Sequence, residues 1–280
     1  MSKEKKSLIV FYSITLSVSL LVELLYIFTG LSLLTSVLMW IPGITGIVCS
    51  KIFFPNEKRL GFTFKVRPVY IIAGIFIPVI YLVISYVWTW FYLKDPTTGI
   101  DSLAASTLGE MGSGIPGGVY IAASLIPMFM FSVLSAAGEE IGWRGFAYPV
   151  LEKEFGAVKA VIINGFIWAV WHLPLIIGGA YQSDVNLVSG IITFILMLIL
   201  MSAVFCWTRS VSGSVIPAVI LHAVHNELDQ IYLQPLSSNA KVPYYAGEQG
   251  LFTMVIVAVI TVFVIRIWRK QRSEAGFKGE

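Results

Sequence analysis

Residues 188–207 read VSGIITFILMLILMSAVFCW, twenty positions without an acidic or basic side chain. At about 1.5 Å of rise per residue, a helix of that length matches the hydrocarbon core of a bilayer, roughly 30 Å thick. Seven further stretches qualify in the same way: 8–28, 31–54, 69–93, 119–137, 157–177, 214–233 and 251–268. The reading is an all-α, polytopic transmembrane helical bundle with about eight spans, with residues 1–280 as a single integral membrane domain. Composition points the same way. The chain is 57% hydrophobic and only 12% charged, about half the charged share of a soluble domain, so it lacks the polar surface to cover a water-facing globule. A net charge of +3 is too small to imply a nucleic-acid partner. Cys49 and Cys206 both lie in apolar runs with no CxxC spacing, which supports neither a disulfide framework nor a thiolate metal site. The first span follows Lys3, Lys5 and Lys6 as a signal peptide would, but it is long and no small-residue cleavage site stands out, so it reads as retained.

Charge sets the orientation. With eight spans, 17 of the 19 Lys and Arg residues fall on one side, in 3–6, 51–67, 144–159, at Arg209 and in 266–278. The other side receives Lys94 and Lys241, along with Asp95, Asp101, Glu110, Asp184 and Glu248. Basic residues stay cytoplasmic, so both termini are expected in the cytoplasm, in the plasma membrane of a prokaryote. Trp88, Trp90 and Tyr92 sit at a span end, as interfacial anchors do.

Ionisable side chains inside spans are costly and need a partner or a purpose. The first span carries Glu23. Glu139, Glu140 and Arg144 follow the fourth, His172 lies in the fifth, and His222, His225, Asn226, Glu227 and Asp229 lie in the seventh. Counting helical rise from the nearest basic residue places Glu139, His172 and His222 at one depth, about 20 Å in. Gly142, Gly145 and Pro149 threaten that count, since a helix break there would leave the glutamates shallower. His222 and Asn226 are spaced i, i+4 and share a helix face, with His225 turned away from it. Glu140 is i, i+4 to Arg144, whereas Glu139 has no such cation. The expectation is a structural Glu140–Arg144 pair and a Glu139 that faces a cavity open towards the cytoplasm. A free carboxylate can deprotonate water, and imidazole and carboxamide groups can stabilise an oxyanion. The same donors can also bind zinc with one position open.

These residues resemble the CPBP intramembrane protease family, also called Abi, which includes the type II CAAX prenyl endopeptidases and bacteriocin-processing proteins. Its EExxxR motif stands here as Glu139-Glu140-Ile141-Gly142-Trp143-Arg144. Its FxxxH is Trp168-Ala169-Val170-Trp171-His172, with Trp168 at the Phe position, and its HxxxN is His222-Ala223-Val224-His225-Asn226. The resemblance covers 119–233 as the catalytic core. It implies that Glu139 activates water, that His172, His222 and Asn226 form the oxyanion site, and that Glu140 and Arg144 hold the first motif. Trp168 is expected to shape the substrate pocket without touching the chemistry. The substrate is read as a lipidated or hydrophobic peptide in the lipid bilayer. The cofactor reading is none, with zinc on Glu139, His172 and His222 as the alternative. HExxH and GxGD motifs are absent. The readings from other classes are a proton-coupled transporter and a catalytically silent immunity or scaffold protein.

Overall fold

The computed structural model describes residues 1–57, 60–95, 97 and 99–274; Lys58, Arg59 and Lys278, counted above among the basic residues, lie outside them. The described chain is helical, with α1 Lys3–Thr29, α2 Leu33–Phe53, α3 Pro68–Leu93, α4 Gly117–Phe155, α5 Ala157–Ile177 and α6 Leu187–Ser212. The seventh helix, α7, is Ile216–Asn226 continued by a π-helical turn over Glu227–Leu233, and α8 is Leu251–Glu274. Seven of these helices are long and apolar enough to cross a membrane, and α7 is the shorter eighth. Local chemistry sets several ends. The Ser2 hydroxyl accepts the Lys5 N–H at 3.2 Å to start α1, and the Asn186 carboxamide accepts from Val188 and Ser189 to start α6. Pro68 opens α3, and Gly30 and Gly213 close α1 and α6 in the left-handed region.

The helix does not break after the glutamates. Ile141–Ala147 forms a π-helical turn through which α4 continues to Phe155. Large apolar side chains such as Leu21, Phe76 and Ile126 are exposed around the bundle, where lipid covers them.

The two ends of the bundle differ in charge. At one end Ser2 and Lys5 bond Glu154, Arg272 pairs with Glu152, and Ser214 donates to the Thr63 carbonyl. At the other, Asp95 accepts from the backbone of Ser238 and Asn239, and the Asn186 N–H reaches the Tyr244 hydroxyl. One described end is thus the more basic, and the Asp95 end lies opposite it. Arg144, counted among the basic residues of one side, is fully buried inside the bundle.

Small residues let α2 and α4 touch through their backbones. A Cβ on Gly43 would lie 2.4 Å from the Gly138 carbonyl oxygen, and one on Gly142 would lie 2.5 Å from the Pro42 backbone. Close approach of this kind lets helices associate without a hydrophobic driving force, and here it pins the glutamate-bearing stretch. Gly43→Ala is expected to force the helices apart and cost about 1–3 kcal/mol, read as a lower unfolding midpoint in detergent. A midpoint equal to wild type would show that the contact is slack.

Candidate active site

Three helices bring the polar groups together. Glu139 of α4 is 1% exposed. Its Oε2 accepts the Trp168 indole N–H at 2.7 Å and the Trp143 indole N–H at 3.3 Å, and its Oε1 lies 4.0 Å from His222 Nε2. Glu139 therefore has an i+4 partner after all, an indole rather than a cation. Trp168 also does more than shape a pocket, since a Phe there would have no N–H for the carboxylate.

Behind Glu139, Glu140 Oε1 accepts from Arg144 Nη1 and from His222 Nδ1, each at 2.9 Å. Arg144 Nη2 donates to Ser202 at 3.0 Å, and its guanidinium lies over Trp168 and Phe205, 4.0 and 4.4 Å from the ring centroids.

The imidazole tautomers follow from their partners. His172 Nδ1 lies 2.9 Å from the Trp168 carbonyl oxygen, which only accepts, so Nδ1 carries a proton and Nε2 is left for the cavity. His222 Nδ1 likewise donates to Glu140, leaving Nε2 on the Glu139 side. Trp171, Phe194 and Tyr181 pack around the His172 ring.

Glu139, Trp168, His172, His222 and Asn226 line one cavity of about 320 Å³. It does not open towards the basic end as expected. On α1 its walls are Glu23 and Tyr26, on α2 Thr35, Ser36, Leu38 and Met39, and on α7 His222, His225, Asn226, Gln230 and Ile231, and it also reaches Tyr181 and Glu248. Every one of these positions lies between Glu139 and the end where Asp95 meets Ser238 and Asn239. Towards the basic end, Phe11, Trp143, Arg144, Phe146 and Phe205 are fully buried and fill the bundle. The sequence estimate counted depth from the basic side and carried no information about which half of the bundle was filled.

A second polar group adjoins the cavity. His225 Nε2 bonds Glu248 Oε1 at 3.1 Å, and the Tyr81 hydroxyl bonds His225 Nδ1 at 2.8 Å. Tyr181, Gln182 and Gln230 also donate to Glu248. Burial alone would raise the Glu248 pKa, but the hydrogen bonds from His225 and Tyr181 outweigh it and hold the carboxyl below its ordinary value. Asp229 accepts from Tyr86 at 2.7 Å, and its other oxygen is buried without a protein partner. His225, Asp229 and Glu248 each offer one ligand atom within 4.8 Å of the others, a set able to hold a divalent ion. Sequence reasoning missed the roles of Glu248 and Tyr181, because both stand in connecting segments with no periodic signal.

The fold and site define an integral membrane helical protein with a carboxylate–imidazole centre at the base of a cavity inside the bundle. Residues 121–228 match the family model described as type II CAAX prenyl endopeptidase Rce1-like, and that segment holds all seven residues of the three motifs. A curated protein, CAAX prenyl protease 2 of Methanococcus maripaludis, is 30% identical over 149 residues, covering 51% of this chain and 52% of that protein. The chain therefore spans about half the length of this relative. The family resemblance read from the motifs is borne out by both matches.

Proposed function

We propose that the protein is an intramembrane endopeptidase that hydrolyses a lipidated or hydrophobic membrane-associated peptide with water activated by Glu139. One observation carries this reading: the Glu139 carboxylate has Oε2 fixed by two indoles, and Oε1 faces His222 Nε2 across 4.0 Å. That separation suits a water making two hydrogen bonds of about 2.8 Å that meet at roughly a right angle. Glu139 accepts the water proton as its oxygen attacks the peptide carbonyl carbon, and the proton then passes to the departing amine nitrogen. The Asn226 carboxamide donates to the developing oxyanion, and so does His222 when its Nε2 is protonated. His172, with Nδ1–H held by the Trp168 carbonyl, acts in the same way when its Nε2 is protonated. Glu140 and Arg144 orient His222 and α4.

Zinc on Glu139, His172 and His222 is the alternative reading, and each imidazole has its other nitrogen held by a protein acceptor, but among the described residues it is His225, Asp229 and Glu248, not these three, whose donor atoms all lie within 4.8 Å of one another. A zinc ion beside Glu139 would polarise the carbonyl and acidify water. A proton-coupled transporter needs a path to both ends of the bundle, and the aromatic packing below Glu139 opposes it.

The test is cleavage in detergent, where both faces are accessible, of a farnesylated CaaX peptide and of a hydrophobic single-span peptide. Cleavage of at least one, unaffected by a chelator, is expected. Activity lost to the chelator and restored by zinc would transfer the reading to the metal mechanism. Two intact peptides in both detergent and liposomes would reject the peptidase reading.

A further inference from the structure

We propose that His225, Asp229 and Glu248 form a binding site for a first-row divalent cation, separate from the Glu139 centre, which fastens α7 to the segment that leads into α8. The inference does not rest on the peptidase reading. Two observations carry it: the way each of the three side chains is held, and a buried oxygen that no protein group satisfies.

Each side chain is gripped at its far atom. The Tyr81 hydroxyl lies 2.8 Å from His225 Nδ1, Tyr86 donates to Asp229 Oδ1 at 2.7 Å, and Tyr181 and Gln182 donate to Glu248 Oε2. Partners of this kind orient metal ligands and, at an imidazole, fix the tautomer. A proton on Nδ1, donated to the Tyr81 oxygen, leaves the Nε2 lone pair for a cation. The near atoms, His225 Nε2 and Glu248 Oε1, are 3.1 Å apart. Two ligand atoms about 2.1 Å from one ion and at a right angle stand about 3 Å apart. Gln230 adds only a long contact to Oε1, at 3.4 Å, and one atom from each of the three side chains lies within 4.8 Å of the others. With the proton on Nε2 the same 3.1 Å contact is a plain hydrogen bond, and that is the rival arrangement.

Asp229 supplies the second observation. It is 1% exposed, and its Oδ2 is buried with no protein partner. A buried acceptor left unsatisfied is costly, more so on a charged group, and a cation would satisfy it. Among the described residues no Lys or Arg bonds Asp229 or Glu248, so an ion at Oδ2 meets carboxylate oxygens without a competing basic side chain. The backbone makes room as well. Gly247 adopts φ 84°, and a Cβ there would stand 3.2 Å from the Tyr86 hydroxyl and 3.4 Å from Asp229 Oδ1, pressing on a ligand and on the group that holds it. One imidazole with two carboxylates mixes the donor that suits Zn²⁺ with those that suit Mn²⁺. His225 and Glu248 also line the cavity, so a bound ion would fasten one of its walls.

The experiment uses full-length protein without an affinity tag, in detergent, stripped with a chelator and then titrated with Mn²⁺ or Zn²⁺. Loss of the free Mn²⁺ EPR signal reads binding, and the melting midpoint should rise with the concentration of either ion. Asp229→Asn and Glu248→Gln keep the side-chain shapes and should abolish both responses. Tyr86→Phe, which removes only the hold on Asp229, should weaken binding by about 10- to 100-fold. Glu139→Gln should respond as wild type does, which separates this site from a zinc at Glu139, His172 and His222. A wild-type protein whose midpoint and EPR signal ignore millimolar ion would overturn the proposal, and that titration needs no variant to fold. Binding lost in Glu139→Gln but kept in Asp229→Asn would move the ion to the Glu139 centre and overturn it too. Equal binding by wild type and every variant would mark surface ions and do the same.

Discussion

Purified Glu139→Gln protein should fold, enter membranes and bind peptide as wild type does, yet lose about 10²- to 10⁴-fold in turnover, the usual worth of a general base. The amide keeps the shape of the carboxylate, and its oxygen still accepts the indole N–H of Trp168, 2.7 Å away in the wild type. It has no basic oxygen to take the water proton. The measurement is single-turnover cleavage of a fluorogenic lipidated or hydrophobic peptide, with melting in detergent as the control for folding. Full activity in this variant would remove Glu139 from the chemistry, whatever the topology.

Both the fold and the site were partly legible before any coordinates. Span count, helix ends and the split of basic residues follow from bilayer thickness and charge, which act on sequence directly. The convergence of Glu139, His172, His222 and Asn226 was legible as equal depth along helices of fixed rise. Three things were not. The cavity's direction depends on which half of the bundle is filled, and that is decided by aromatic residues such as Phe11 and Phe205, which look like any other apolar residues in a run. The bond from Trp168 to Glu139 depends on the side-chain directions of two helices, and spacing along one helix does not contain it. Glu248 joins His225 from a connecting segment, where no period marks it. Arg144 was read as the partner of Glu140 but also counted among the basic residues of one side, because the π-helical turn that keeps it inside leaves no mark on hydropathy.

Arg144→Met is the substitution expected to cost most in stability. The guanidinium is fully buried, 2.9 Å from Glu140, and lies over Trp168 and Phe205. Removing it strands a buried carboxylate, and breaking a buried pair from one side typically costs about 3–5 kcal/mol. Glu140→Gln should cost in the same sense, by leaving the guanidinium without its counter-charge. The double variant Glu140→Met/Arg144→Met should recover much of the loss, since paired apolar replacements of buried ions are often close to neutral. It should not recover turnover, because His222 Nδ1 loses its acceptor. Chemical unfolding in detergent together with the cleavage assay separates the two effects. A double variant no more stable than Arg144→Met alone would contradict the account.

The plug of Phe11, Trp143, Arg144, Phe146 and Phe205 below Glu139 has an electrical consequence. A cavity open to water at one end carries the potential of that bath to its floor, so nearly all of the transmembrane voltage falls across the packed layer beneath it. Moving an elementary charge through 100 mV is worth about 2.3 kcal/mol. A proton exchanged between Glu139 and cavity water crosses almost none of that drop. Under the peptidase reading, hydrolysis at this depth runs beside a steep electric field without working against it.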